Sequence, residues 1–489
     1  MSQIDLTIFK DRLENSVKRA KEKNIIIPTF AQMKDPARIP EGIKKELKEI
    51  GLWDVHPRNL FRITWKNEPK LKGGEFDGVN YIEFPSSLTG TEARVVAMVG
   101  KWFPTGAHKV GAAFGCLVPR LVTGQFDPTR QKAVWPSTGN YCRGGAYDSA
   151  LMGCESIAIL PEGMSRERFA WLKKIASEVI ATPGSESNVK EIFDKCKELR
   201  SSGQDLMIFN QFEEFGNYLW HYEITGHAME EVIRKLMGPA DEFRGVALTT
   251  GSAGTIGCGD YLKQIFPTSK IIASEALQCP TLLQNGFGSH RIEGIGDKHV
   301  PWIHNIKNTD MIVAIDDNAV VDIMRLFNEP AGKKYLVKKG VPAPVIDQLN
   351  LLGFSGIANV LSAIKFAKYN EMGKNDIVIT VLTDSMELYG SRIEEYRKQS
   401  GTFDDSQAAE TFAHHLHGVT SDHLLELTYE SRKRIHNLKY YTWVEQQGKT
   451  FDEIQAQWYQ PDYWTSIQKQ VPEIDHLIDE FNKKVGISK

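Results

Sequence analysis

Between about residue 90 and residue 390, short apolar runs recur along the chain, each followed by a turn and then by a segment with apolar positions at helical spacing. The runs are apolar throughout and do not alternate, as strands covered on both faces by crossover helices require. The pattern predicts strands at 156–160, 178–181, 207–209, 246–249, 271–274, 311–315 and 377–382. Between the first two, Ser165 is placed to cap a helix on which Phe169, Leu172 and Ile175 share one face. The fold class that follows is α/β, doubly wound.

The flanks break this rhythm. Residues 1–80 read as an N-terminal extension, a charged helical stretch followed by Pro and Gly punctuation (Pro36, Pro40, Pro57, Pro69, Gly73, Gly74). Residues 396–489 read as a helical C-terminal segment carrying Trp443, Trp458, Trp464, Tyr440, Tyr441, Tyr459 and Tyr463. No basic stripe accompanies these aromatics, so they are expected to pack on the central body of residues 81–395 and not to stack nucleic-acid bases.

Composition adds exclusions. A chain of 489 residues holds two to four compact units at roughly 100–200 residues each. Charged residues make up 25% and the formal net charge is only -3, so nothing draws the chain to nucleic acid or to a membrane surface. The six cysteines (Cys116, Cys142, Cys154, Cys196, Cys258, Cys279) show neither metal-ligand nor disulfide-framework spacing, and the N-terminus lacks the apolar core of a signal peptide. A reducing, cytoplasmic location and no metal are expected.

Three loops carry candidate chemistry. In Pro104-Thr105-Gly106-Ala107-His108-Lys109 a lysine follows a small-residue turn. Ser137-Thr138-Gly139-Asn140-Tyr141 offers backbone donors and short polar side chains. Gly251-Ser252-Ala253-Gly254-Thr255 sits between a predicted strand and a predicted helix near Ile256, the arrangement that cradles a phosphate. A dinucleotide fingerprint fails on spacing, because Leu262 stands where a third glycine or alanine is needed. An amine, a polar loop and an anion cradle are the parts that hold pyridoxal phosphate.

In this order the loops resemble the fold-type II pyridoxal-phosphate enzymes, the superfamily of cysteine synthase, cystathionine β-synthase, threonine synthase and the tryptophan synthase β subunit. Two further stretches match: Asn210-Gln211-Phe212 with Asn217, His221, Thr225 and Gly226, and His290-Arg291-Ile292-Glu293-Gly294-Ile295-Gly296 with Pro301. A sixth, Leu382-Thr383-Asp384-Ser385-Met386-Glu387-Leu388-Tyr389, resembles the strand end where cysteine synthase sets a serine against the pyridine nitrogen. The wording around Lys109 is nearest to tryptophan synthase β, but Ser137 stands where that enzyme has a catalytic glutamate, which argues against indole chemistry.

The resemblance implies two α/β lobes with the cofactor between them, the smaller within about residues 110–235, and a homodimer. It implies Lys109 as the Schiff-base lysine and catalytic base, His108 and residues 251–255 at the phosphate, Asn140 at the phenolic oxygen and Ser385 at the pyridine nitrogen. Ser137, Thr138, Gly139 and Tyr141 would hold an amino-acid substrate. The reaction implied is loss of a β substituent to give an aminoacrylate, followed by replacement as in cysteine synthase or by elimination. A serine/threonine dehydratase is the alternative within the superfamily. A nicotinamide-dependent oxidoreductase and a non-catalytic scaffold are alternatives of other classes.

Overall fold

The computed structural model describes residues 3–69 and 75–487; Gly73 and Gly74, read above as punctuation, lie outside them. Eleven strands are named here in chain order: β1 (Tyr81–Phe84), β2 (Arg94–Val99), β3 (Lys132–Pro136), β4 (Ser156–Pro161), β5 (Glu178–Thr182), β6 (Leu206–Ile208), β7 (Glu242–Thr249), β8 (Lys270–Ala276), β9 (Met311–Ile315), β10 (Asp376–Leu382) and β11 (Leu424–Glu426). They form a seven-stranded sheet, ordered β1-β2-β10-β7-β8-β9-β11, and a four-stranded sheet, ordered β5-β4-β3-β6. The small sheet is parallel throughout; the large one is parallel from β2 to β9, with β1 and β11 antiparallel at its edges.

The apolar runs end where the sequence pattern puts them, within a few residues, because strands buried on both faces admit almost no polar side chain. In β10 every residue after Asp376 is buried, and helix Phe354–Tyr369 lies beneath β7 and β10 with nearly all of its residues buried. Asn359 of that helix fastens both strand ends. Its Oδ1 accepts from Thr249 N–H at 2.7 Å and its Nδ2 donates to the Val381 carbonyl at 2.7 Å. One buried amide thus sets the relative height of the loops that leave β7 and β10.

Residues 396–489 are helical, as expected, apart from the short strand β11, which pairs with β9 and closes one edge of the large sheet. Two expectations need correction. The third predicted strand runs one residue earlier, at Leu206–Ile208. Ser165 stands at the N-cap of helix Arg166–Ile175, but its hydroxyl caps nothing and has no partner; its N–H is directed to Glu293 instead.

The flanking segments meet each other. Asn482 and Ile27 exchange two hydrogen bonds (3.0 and 2.8 Å), and Asp475 accepts from the N–H groups of Phe30 (2.6 Å) and Ala31 (3.1 Å). Among the described residues no helix is long and apolar enough to cross a membrane.

Candidate active site

Loops at the carboxyl ends of β2, β3, β7 and β10 converge, as parallel sheets generally bring ligand-binding loops together. After β2 the chain turns through Thr105 and Gly106, both with left-handed backbone (φ 70° and 72°). For a β-branched residue such as Thr105 this is a strained state that the surroundings must enforce. The turn delivers Lys109 to the first position of helix Lys109–Val122, with its Nζ 3.2 Å from the Ser252 hydroxyl of the β7 loop. Burial pushes the Lys109 amine down to about 8, against the attraction of Asp297. A neutral amine is thus available near physiological pH, as imine formation requires.

The β7 loop is built as an anion cradle. Among the described residues, the N–H groups of Gly251, Ser252, Ala253, Gly254 and Thr255 have no acceptor. Ala253 is left-handed (φ 62°), which turns successive N–H groups toward one side, and helix Ile256–Ile265 starts immediately after. Unpaired backbone donors in a buried loop are costly, so the loop fits a phosphate. A Cβ on Gly254 would lie 2.0 Å from Asn217 Oδ1, so close packing of Asn217 is what demands this glycine. Asn217 Nδ2 bonds the Gln211 carbonyl and the Ser252 hydroxyl, each at 3.0 Å, and so holds the cradle from behind.

The β3 loop supplies a second set of donors. Gly139 N–H bonds the Ser137 hydroxyl at 3.0 Å, while the N–H groups of Thr138, Asn140 and Tyr141, at the start of helix Asn140–Leu151, have no acceptor among the described residues. Asn140 Nδ2 donates to Asp384 at 2.6 Å, and its Oδ1 is without a partner. The Tyr141 hydroxyl is buried beside Cys116.

At the end of β10, Asp384 and Ser385 lie beyond the last strand residue and have different fates. Asp384 is fully buried; its Oδ2 accepts from Asn140 and from the Tyr389 hydroxyl (both 2.6 Å) and lies 3.6 Å from Arg168 Nη2. The Ser385 hydroxyl has no hydrogen-bond partner among the described residues. His108 is closed in by Trp65, stacked on it at 5.4 Å, and by His221, with Nε2 3.3 Å from the Thr383 hydroxyl. Burial holds this imidazole neutral, so any phosphate contact it made would be that of an uncharged ring.

Several residues of the site carry no local signature in the sequence. Arg168, with no exposed surface, pairs with Glu293 and donates to the Tyr389 hydroxyl at 2.6 Å; Arg392 holds the other Glu293 oxygen at 2.6 Å. This network joins the small lobe to the large one across the cleft. Glu186, buried and pushed up to about 8, reaches the Thr138 side chain and the Gly294 N–H. Asp297 directly follows the recognised stretch that ends at Gly296, and is buried with an unpartnered Oδ2.

A buried amine beside an acceptor-free phosphate cradle, between two parallel-stranded lobes, defines an enzyme that carries a phosphorylated aldehyde cofactor. The family described as pyridoxal-phosphate dependent enzyme matches residues 99–333. A cysteine synthase of Staphylococcus aureus is 31% identical over 288 residues, covering 58% of this chain and 84% of the relative. Cystathionine beta-synthase of Saccharomyces cerevisiae is 24% identical over 383 residues, covering 76% of this chain and 72% of that protein. The solved cysteine synthase of Entamoeba histolytica shares the fold, with a TM-score of 0.56 at 21% identity over 69% of this chain and 92% of that one. The chain belongs to the family of pyridoxal-phosphate dependent enzymes, with pyridoxal phosphate as its cofactor. This membership replaces the nicotinamide reading.

Proposed function

We propose that the protein acts on an amino acid at Cβ, removing a substituent by replacement or elimination. The observation that carries the reading is the division of labour after β10. Asp384 is anchored through its Oδ2 by Asn140, Tyr389 and Arg168, while its Oδ1 and the Ser385 hydroxyl have no hydrogen-bond partner among the described residues; in this reading Ser385 is the group that meets the pyridine nitrogen. When bound, the cofactor supplies an electron sink for the bond broken at Cα. A hydroxyl does not hold the ring nitrogen protonated, so the sink is weak and departure of a β substituent is favoured over transamination.

The residues of the chain have separate tasks in this reading. Lys109 holds the cofactor and, once released by the substrate's amine, takes the proton from Cα. Residues 251–255 bind the phosphate through their N–H groups. The free N–H groups of Thr138, Asn140 and Tyr141, with the Ser137 and Thr138 hydroxyls, orient the substrate carboxylate. All six cysteines are unpaired and buried, which supports a reducing, cytoplasmic setting; the homodimer of the superfamily is proposed with it, and sedimentation tests that.

The purified protein with pyridoxal phosphate is incubated with O-acetylserine, serine or cysteine, with and without sulfide, and the products are separated. A new amino acid indicates replacement; pyruvate with ammonia indicates elimination of the dehydratase type. Racemised or transaminated substrate with no product altered at Cβ would refute the reading. Borohydride reduction and peptide mapping place the cofactor, and a label on a lysine other than Lys109 would overturn the assignment of the site.

A further inference from the structure

We infer that Asp297 is a second acid–base residue of this site, which protonates the departing β substituent, and that the substrates are therefore amino acids such as serine or cysteine, whose β group leaves as hydroxide or hydrosulfide. The inference rests on the proposed reaction at Cβ. Asp297 is held in place by its own backbone and by that of Gly296. Gly296 N–H bonds the Thr250 carbonyl at 2.7 Å, just before the phosphate cradle, and the Asp297 carbonyl accepts from the Thr281 hydroxyl at 2.7 Å. The side chain is 7% exposed, and its Oδ2 has no partner. Burial pushes its carboxyl up to about 8, opposed by Lys109, so the acid carries its proton at neutral pH.

The other titratable groups in this region leave that role to Asp297. Burial pushes the Cys279 thiol up and the His290 imidazole down, so both are neutral near pH 7. His108 and His221, beside Lys109, are likewise held neutral by burial, and Glu186 is committed to the Thr138 side chain and the Gly294 N–H. In the step inferred, Lys109 removes the Cα proton, and the electron pair left at Cα forms the Cα–Cβ double bond. The Cβ–X bond breaks with its electrons on X, and X takes the Asp297 proton and departs as water or hydrogen sulfide. An incoming nucleophile adds to Cβ and returns its proton to Asp297. The need for an acid follows the leaving group: water has a pKa of about 15.7, hydrogen sulfide is a far stronger acid than water, and a carboxylic acid has a pKa of about 4. An acetate ester would gain almost nothing from Asp297.

The test compares Asp297→Asn with the wild-type holoenzyme on serine, cysteine and O-acetylserine. General acid catalysis contributes about 100- to 10,000-fold, so the variant should lose at least about 100-fold on serine and a far smaller factor in the release of acetate from O-acetylserine, the step that needs no acid. Asp297→Glu should restore part of the loss. Wild-type kcat on serine should fall as pH rises through about 8, where the acid loses its proton, and this limb should vanish in Asp297→Asn. A second readout needs no turnover: the pH midpoint for capture of pyridoxal phosphate by the cofactor-free full chain should move down in Asp297→Asn, because the carboxylate that favours the Lys109 ammonium is gone. An unmoved midpoint, an equal loss on all three substrates, or no loss on any would overturn the inference. Wild-type turnover of O-acetylserine alone would overturn it and leave the proposed reaction standing, whereas no reaction at Cβ with any substrate would overturn both.

Discussion

Replacing Gly254 by Ala tests whether the phosphate cradle is held by Asn217. The added Cβ would stand 2.0 Å from Asn217 Oδ1 and 2.5 Å from its Cγ, where ordinary contacts begin at 3.4 Å. The Asn217 side chain, fully buried, must retreat by more than its hydrogen bonds to the Gln211 carbonyl and the Ser252 hydroxyl can stretch from 3.0 Å. Losing two buried hydrogen bonds, with the crowding that forces the loss, costs about 2–4 kcal/mol. Ser252 also meets Lys109, so part of this cost falls on the cofactor site. Urea unfolding should show the loss of stability, and absorbance titration with pyridoxal phosphate should show at least about tenfold weaker binding, the equivalent of about 1.4 kcal/mol. In the double variant with Asn217→Ala the clash disappears, so the two changes should be strongly non-additive. Stability within about 0.5 kcal/mol of wild type for Gly254→Ala, or full additivity in the double variant, would refute the reasoning.

Lys439 is fully buried among neutral oxygens, with Nζ 2.8 Å from the Trp302 and His304 carbonyls and 2.6 Å from Gln457 Oε1, and burial lowers its pKa well below 10.5. The unfolded chain keeps this proton up to about pH 10.4, so above the folded-state pKa stability rises with pH until about 10.4. The stability of wild type relative to Lys439→Met should therefore grow between neutral pH and pH 10, and a pH-independent difference in urea midpoints would contradict it. A Cβ on Gly145 would meet the Trp135 ring at 2.0 Å; Gly145→Ala should cost about 1–3 kcal/mol, and an unchanged thermal midpoint would show that Trp135 can move aside.

What the sequence discloses depends on whether a constraint is local. β9 is legible to the residue because a run such as Met-Ile-Val-Ala-Ile, bounded by Asp310 and Asp316, has one reading. β1, with alternate residues buried, and β11, only three residues long, belong to sheet edges and leave no such run. The glycine loops at 251–255 and 137–141 announce themselves because backbone donors need small residues beside them. Arg168, Glu186 and Asn359 do not, since a lone polar residue in a helix or loop looks the same whether it faces solvent or a buried partner 110 residues away, as Asn359 faces Thr249. Ser165 shows the converse. Its sequence context is that of a capping serine, but its hydroxyl takes no helix N–H, and its own N–H goes to the buried Glu293 carboxylate.

The bonds between Ile27 and Asn482 join positions 455 residues apart. During synthesis the strip that will hold Ile27 and Phe30 leaves the ribosome well before its partners Asp475 and Asn482 are made. At about 5–20 residues per second, that strip waits tens of seconds for its acceptors, and closing so long a loop is worthwhile only after the lobes between have folded. The clasp thus forms after the lobes that it spans. A chain stopped short of residue 470 would carry both lobes but leave the Ile27 carbonyl and the Phe30 and Ala31 N–H groups without the partners that bury them, a natural handle for a chaperone or protease to tell unfinished copies from finished ones.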